Sequence, residues 1–384
     1  MKFIILGAGA IGCYVGGRLA HAGQSVTLVG RPRVLDALAV HGLTVTDLEG
    51  FKGHVAPTAL RLAPSLREAG VGVDGDGDGD GDGDGDGDGE GAGDDEGGTV
   101  ILLCVKGGGT EAAAREIAQV CKSGTTVVSL QNGVDNLARI HAHAPQMQAL
   151  AGMVPYNVVM SAGQGDHHVH RATMGSLHIQ RSQVELHARS ASNVNAPGAV
   201  AGLSAQIASR FNASGLPTEL SDNMRAVQWG KLLLNLNNPI NALSDLPLQA
   251  QLQDRDYRRV LADLQGEALA VLAQAGITPA KVAAVAPRAL PHLLRLPNWL
   301  FTRVAARMLH MDAQARSSMW DDLQHGRTTE IDDLCGAVVR LANAHGRAQH
   351  LNAPLNQRMC ELVAQHTTGQ RLSGPQMRRA LSVN

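Results

Sequence analysis

The segment FIILGAGAIG, residues 3–12, constrains this chain more than any other. It sets Gly7, Gly9 and Gly12 in G-x-G-x-x-G spacing, directly after an apolar run and at the mouth of a helical stretch. In a doubly wound α/β fold this junction receives the pyrophosphate of a dinucleotide. The three glycines have separate tasks: Gly7 makes the tight turn, Gly9 lets the pyrophosphate approach, and Gly12 lets the helix pack on the strand. The backbone from Gly7 through Ala8, Gly9, Ala10 and Ile11 to Gly12 is therefore the candidate cradle, with helix-start N–H groups facing the anion.

The surrounding pattern agrees. Apolar runs at 2–6, 25–29, 99–105 and 125–130 read as strands, and the stretches 10–22 and 111–121 as helices, which is βαβ order with a parallel sheet. From about residue 222 the pattern changes to long helical stretches at 256–275, 304–315 and 330–344. The expected fold class is α/β: a Rossmann-type dinucleotide-binding domain over 1–220 and a mostly α-helical domain over 221–384. Residues 181–200, polar and aperiodic, read as an exposed loop.

Residues 74–98 interrupt this order with an alternating Gly-Asp tract holding ten Asp and two Glu but no Lys or Arg. With no apolar side chain larger than alanine, such a tract has nothing to bury against the entropy of ordering, so it reads as a disordered insert. A calcium loop fits poorly, because a glutamate at loop position twelve would put Gly79 or Gly85 at position one. Outside the tract, 33 basic residues face 23 acidic ones. That body is basic, yet only ten aromatics exist to stack on bases, so a small anionic partner is expected rather than nucleic acid. No apolar stretch reaches the roughly 18 residues of a membrane span. Five scattered cysteines without a C-x-x-C pair suit a reducing cytoplasm. The histidines His167, His168, His170 and His178 have no acidic or cysteine partner at ligand spacing, so they read as exposed and no metal is expected there.

Where the second strand ends, LVGRPR carries Arg31 and Arg33 in place of the acidic residue that would hold a ribose 2′-hydroxyl. A guanidinium gains most from a 2′-phosphate, so NADP (NADPH) is the expected cofactor, with Arg31 the better candidate. Lys106 emerges from VILLCVK and Asn132 from VSLQNG, both at carboxyl ends of strands, where open α/β sheets bind ligands. In WGKLLLNLNNP, the offsets of four and three bring Asn235 and Asn238 within about 40° of Lys231 on one helix face. An ammonium among amides in an apolar helix loses its proton more readily than one in water, as a proton donor must. The segment SSMWDDLQHGRTTEID adds Ser318, Asp322 and Glu330. Thr328 or Thr329 is placed to cap the next helix, and Glu330 lies near its start.

Taken together, the chain resembles the ketopantoate reductase family (2-dehydropantoate 2-reductase). The likeness runs through GAGAIG, the arginine after the second strand, VK, QNG, the KLLLN helix, S-M-x-x-D and R-x-T-E-I-D ending at Glu330 and Asp332. It implies NADPH-dependent reduction of 2-dehydropantoate, a step towards pantothenate, with a small 2-oxo acid as substrate and room for a homodimer. It makes Lys231 the general acid, with Glu330 beside it, gives Asn235 and an asparagine of 237–241 the substrate's hydroxyl and oxo groups, and gives Ser318 its carboxylate. Lys106, Asn132 and Glu330 would meet the cofactor near the nicotinamide ribose, with Asp322 behind them. Two departures stand out. Asn238 precedes Pro239 seven residues after the lysine where the family has eight, so Asn241 competes with it. Three glycines follow Lys106 where relatives carry side chains, which predicts a looser pocket wall. The competing readings are reduction of another 2-oxo acid and a non-catalytic dinucleotide-binding regulator.

Overall fold

The computed structural model describes residues 1–70, 98–161, 165–182, 202–306, 314–349, 352–367 and 369–382. The Gly-Asp tract, apart from Gly98, and all but two residues of the expected loop at 181–200 lie outside the described residues.

The first strand, Lys2–Leu6, lies inside an eight-stranded sheet, pairing in parallel with Ser25–Val29 on one side and Thr99–Leu103 on the other. The full strand order is Thr218–Ser221, Leu177–Gln180, Gln148–Met153, Thr126–Ser129, Thr99–Leu103, Lys2–Leu6, Ser25–Val29 and Arg61–Ala63. Phe3, Ile4 and Ile5 are wholly buried, as a strand covered on both faces requires. Phe3 and Ile5 pack with Tyr14 and Leu19 on one face, Ile4 and Leu6 with Ile117 and Ile140 on the other. The sheet is thus the middle layer between two helical layers.

A second, four-stranded sheet, Lys52–Val55, Leu43–Asp47, Gly165–Arg171 and Val158–Ser161, is absent from the sequence reading. Its strands run only four to seven residues, and Lys52–Val55 and Gly165–Arg171 carry a single large apolar residue each, so the strand signal is weak. His168, expected at the surface, is buried in it, its Nε2 3.0 Å from the Thr46 hydroxyl, which also meets His170 Nδ1 at 2.8 Å.

The C-terminal part is helical, built around Arg255–Gln274 and Ile331–Gln349. Trp229, Leu232, Leu233, Leu264, Phe301 and Leu334 meet in one apolar core. Arg258, also wholly buried, donates to the carbonyls of Leu252, Gln253, Leu294 and Leu296, so one side chain satisfies several exposed helix ends. Two expected helices differ. Of the helix expected at 304–315, residues 307–313 lie outside the described residues; Val304 ends a helix, Asn298–Val304, that follows Pro297, and residues 305–306 and 314–317 are not helical. The stretch carrying Lys231 is two helices, Met224–Asn235 and Asn237–Ser244, parted at Leu236. Among the described residues no helix is long and apolar enough to cross a membrane.

Candidate active site

At the carboxyl end of the first strand the chain turns at Gly7, whose φ is +112°. A Cβ there would lie 2.7 Å from the Val105 nitrogen, and one at Gly12 only 2.1 Å from the Gly7 carbonyl oxygen. Both positions are closed to any larger residue by backbone. At Gly9, by contrast, a Cβ would meet nothing within 4 Å. The turn is therefore packed tight below and open above, which is the shape a pyrophosphate needs. The Gly7 and Ala8 N–H groups both donate to the Val29 carbonyl, at 3.0 and 2.9 Å. No side chain caps the helix Ala10–His21, so its first-turn N–H groups, at Ala10 and Ile11, are left for an anion.

Arg31 stands exposed at the cap of the helix Pro32–His41, beside this turn, while Arg33 is paired with Asp166. Of the two arginines, Arg31 has the free guanidinium among the described residues.

Of the remaining candidates, Asn132, Lys231, Asn235 and Glu330 come from both parts of the chain and meet near the strand ends. Lys231, on the helix Met224–Asn235, donates to the carbonyl of Pro155 at 2.9 Å, just beyond the strand Gln148–Met153. Among the described residues no carboxylate pairs with it, and burial pulls its ammonium down to about 8. Lys231 and Asn235, one turn apart, line a narrow cavity with Gln131, Asn132, Gly152 and Val154. Asn132 joins the two parts: its amide donates to Glu330 Oε2 at 3.0 Å, and its oxygen accepts from Asn235 at 3.4 Å. Burial pushes the Glu330 carboxyl above its ordinary value, against the opposing Asn132 hydrogen bond. Glu330, not a threonine, sits at the helix start, its carbonyl accepting from the Asp333 N–H at 3.0 Å.

Lys106 is paired with Asp322, a carboxylate on the helix Ser318–Gln324. Burial raises the Asp322 carboxyl while the Lys106 ammonium lowers it. The three competing asparagines separate clearly. Asn237 exchanges hydrogen bonds with Gln251 at 3.1 and 3.0 Å. Asn241, wholly buried, donates to the Leu246 carbonyl and accepts from the Ser317 N–H, both at 2.8 Å. The Asn238 side chain has no hydrogen-bond partner among the described residues, though its carbonyl accepts from Ser317 at 3.2 Å. Ser317 caps the helix through its hydroxyl, leaving its exposed neighbour Ser318 uncommitted. Asn238 and Ser318 lie outside the walls of the cavity around Lys231.

The sequence reading missed Pro155, which acts through a backbone atom any residue carries, and the pair Arg139–Asp333 at 2.7 Å, whose partners are far apart in sequence. The expected looseness after Lys106 also needs correction at Gly107. The volume a side chain would fill there holds the Asp333 carboxylate, 2.0 Å from where a Cβ would stand.

A parallel sheet with a glycine turn, a helical second part, and amide, lysine and carboxylate side chains meeting between them define a class: two-domain oxidoreductases acting on a ketone or CH–OH group. The family described as ketopantoate reductase PanE/ApbA matches at residues 3–183, and its C-terminal part at residues 223–367. This chain belongs to the ketopantoate reductase family. A 2-dehydropantoate 2-reductase of Halobacterium salinarum is 27% identical over 372 residues, spanning 94% of this chain and 98% of that protein. The crystal structure of a PanE/ApbA family ketopantoate reductase from Ralstonia eutropha JMP134 superposes with a TM-score of 0.68 at 28% identity, covering 95% of this chain and 97% of that one. A D-mandelate dehydrogenase solved with NADH and anilino(oxo)acetate shares the fold, with a TM-score of 0.67 at 20% identity, covering 95% and 97%.

Proposed function

We propose that this chain reduces the ketone of 2-dehydropantoate to the alcohol with NADPH, in the cytoplasm, with residues 1–220 holding the dinucleotide and residues 221–384 the substrate. The observation that carries this reading is the Lys231 ammonium, partly buried between the two halves, held by a single carbonyl and lowered to about 8. Such a group is protonated near neutrality yet gives its proton up more easily than an ordinary lysine.

The nicotinamide, when bound, supplies the hydride. The Gly7–Gly12 turn, through the open space above Gly9 and the N–H groups of Ala10 and Ile11, binds the pyrophosphate. Arg31 pairs with the 2′-phosphate through charge-assisted bonds. Lys106, Asn132 and Glu330 orient the nicotinamide end. Asn235 and Asn238 hold the substrate's oxo and hydroxyl groups, and Ser318 takes its carboxylate. Charge develops on the carbonyl oxygen as the carbon is reduced. The Lys231 ammonium stabilises that charge and delivers a proton to the same oxygen, leaving a neutral amine and an alcohol.

A panel of 2-oxo acids offered with NADPH and with NADH tests the reading. The expected result is oxidation of NADPH with 2-dehydropantoate and little with NADH. Dinucleotide binding without turnover of any 2-oxo acid would instead make the chain a non-catalytic dinucleotide binder.

A further inference from the structure

Gly107 and Asp333 are 226 positions apart, yet Asp333 occupies the space a side chain on Gly107 would take. Gly107 follows the strand Thr99–Leu103 of the sheet, and Asp333 lies in the first turn of the helix Ile331–Gln349. A Cβ on Gly107 would stand 2.0 Å from Asp333 Oδ2 and 2.8 Å from its Cγ. Gly133, at the end of the next strand, is equally bare, with Asp333 Cβ 3.2 Å from where its own Cβ would be. Two adjacent strand ends thus leave a niche, and one short carboxylate fills it. Arg139 holds it there, donating to Asp333 Oδ1 at 2.7 Å and to the Gly107 carbonyl at 3.3 Å. The Thr110 hydroxyl fixes that carbonyl from the other side at 2.8 Å. Asp333 is buried, and its N–H donates to the carbonyl of Glu330. A methyl group on Gly107 would overlap Asp333 Oδ2, so the carboxylate that Arg139 holds through Oδ1 would have to shift.

We propose that Asp333 is a positioning residue of the active site: seated in the niche left bare by Gly107 and clamped by Arg139, it sets the register in which Glu330 meets Asn132 across the two halves. It touches neither substrate nor cofactor. Its effect is on the geometry of residues that do, and a misplacement of about 1 Å in such a site can cost on the order of a hundredfold in rate.

The kinetic test rests on the reductase reading above. Wild type, Gly107→Ala, Asp333→Ala and the double variant are compared as full chains, by steady-state kinetics with 2-dehydropantoate and by NADPH binding. The expected pattern is a fall in kcat of about tenfold to a hundredfold in Gly107→Ala, with NADPH affinity within about twofold of wild type. The double variant should be no slower than Asp333→Ala, because the methyl then enters vacated space, a coupling that independent sites do not show. A wild-type kcat in Gly107→Ala, or a double variant carrying the product of the two single losses, would overturn the proposal.

Amide hydrogen exchange gives a readout that needs no turnover. Residues 131–136 and 330–336 should exchange faster in Gly107→Ala than in wild type, and no faster in the double variant than in Asp333→Ala. If the wild type reduces no 2-oxo acid, the reductase reading fails and exchange alone decides this one, unchanged protection in Gly107→Ala overturning it. Should Gly107→Ala fail to fold, a folded double variant supports the proposal and an unfolded one contradicts it.

Discussion

The two halves of the site are built on different principles. The glycine turn is made of backbone and of side chains that are absent, within six consecutive residues. The cluster around Lys231 is made of side chains from at least four separate segments, held by one another across the boundary between sheet and helices. A site of the first kind is specified within one short segment and leans outside it only on backbone, the Val29 carbonyl and the Val105 nitrogen. The second exists only after folding, because Lys231 needs the Pro155 carbonyl and Glu330 needs Asn132. Changes to the turn should therefore act on dinucleotide binding or on stability, and changes to the cluster on the rate.

The sharpest break is expected at Lys231. Lys231→Met keeps the aliphatic stem and removes the ammonium, so kcat should fall about a hundredfold, the scale of losing a general acid. NADPH affinity should hold within about twofold, and the melting temperature should not fall, because the variant no longer desolvates a charge. Steady-state kinetics, titration and thermal melts on one preparation would check all three. The linkage has the same sign: with a folded value near 8 against an ordinary 10.5, the unfolded chain binds more protons between those limits. The lysine's contribution to stability therefore rises with pH across that window, and Lys231→Met should remove the rise.

The next contrast lies inside the turn. Gly12→Ala would drive a methyl into the Gly7 carbonyl and should destabilise by about 1–3 kcal/mol, as overpacking does, measured by denaturant unfolding. Gly9→Ala meets no protein atom and should leave stability nearly unchanged while weakening NADPH binding. If both variants lose stability alike, the space above Gly9 is not what separates them. Arg31→Ala should weaken NADPH about tenfold or more and NADH little, the value of a hydrogen bond to a charged group, read from paired KM values. Equal losses for the two cofactors would remove Arg31 from the 2′-phosphate.

The smallest effect is expected from the Gly-Asp tract. Its flanks are tied together at the first strand: the Lys2 N–H donates to the Gly98 carbonyl at 3.0 Å, and Lys2 Nζ to the Ala69 carbonyl at 3.1 Å. Lys2 begins the strand whose far end enters the glycine turn, so Ala69 and Gly98, on either side of the tract, lie at the end of the sheet away from the site. Deleting 74–97 should change kcat/KM less than about twofold, since closing a shorter loop costs little. A larger loss would tie the tract to the reaction.

The legible parts of the sequence were those governed by short-range rules. The strand 2–6, the turn at Gly7 and the helix at residue 10 follow from apolar runs and glycine spacing, and Lys231 and Asn235 share a face because four residues make about one helical turn. What local pattern does not carry was missed. The four-stranded sheet is built of runs of four to seven residues, in which only Leu43 and Val45 alternate as apolar positions, too short a pattern to stand out. The helix Asn298–Val304, which follows Pro297, was not read from the sequence. The break at Leu236 did have a local signal that the reading passed over, Pro239, which has no N–H to give the Asn235 carbonyl. Nothing in the letters joins Gly107 to Asp333 or Lys106 to Asp322, which meet only when the helices dock. Among Asn237, Asn238 and Asn241, spacing left the choice open. Hydrogen bonding narrows it, since Asn237 and Asn241 are engaged within the fold.

The pH dependence of 2-dehydropantoate reduction, measured as kcat/KM with saturating NADPH in wild type and in Lys231→Met, puts the proton donor to the most direct test. The expected wild-type profile is flat near neutrality and falls as pH rises through about 8, the value to which burial brings the Lys231 ammonium. The variant's residual rate should lack that descending limb. The same limb in both proteins, or equal rates at neutral pH, would mean that the proton comes from another group.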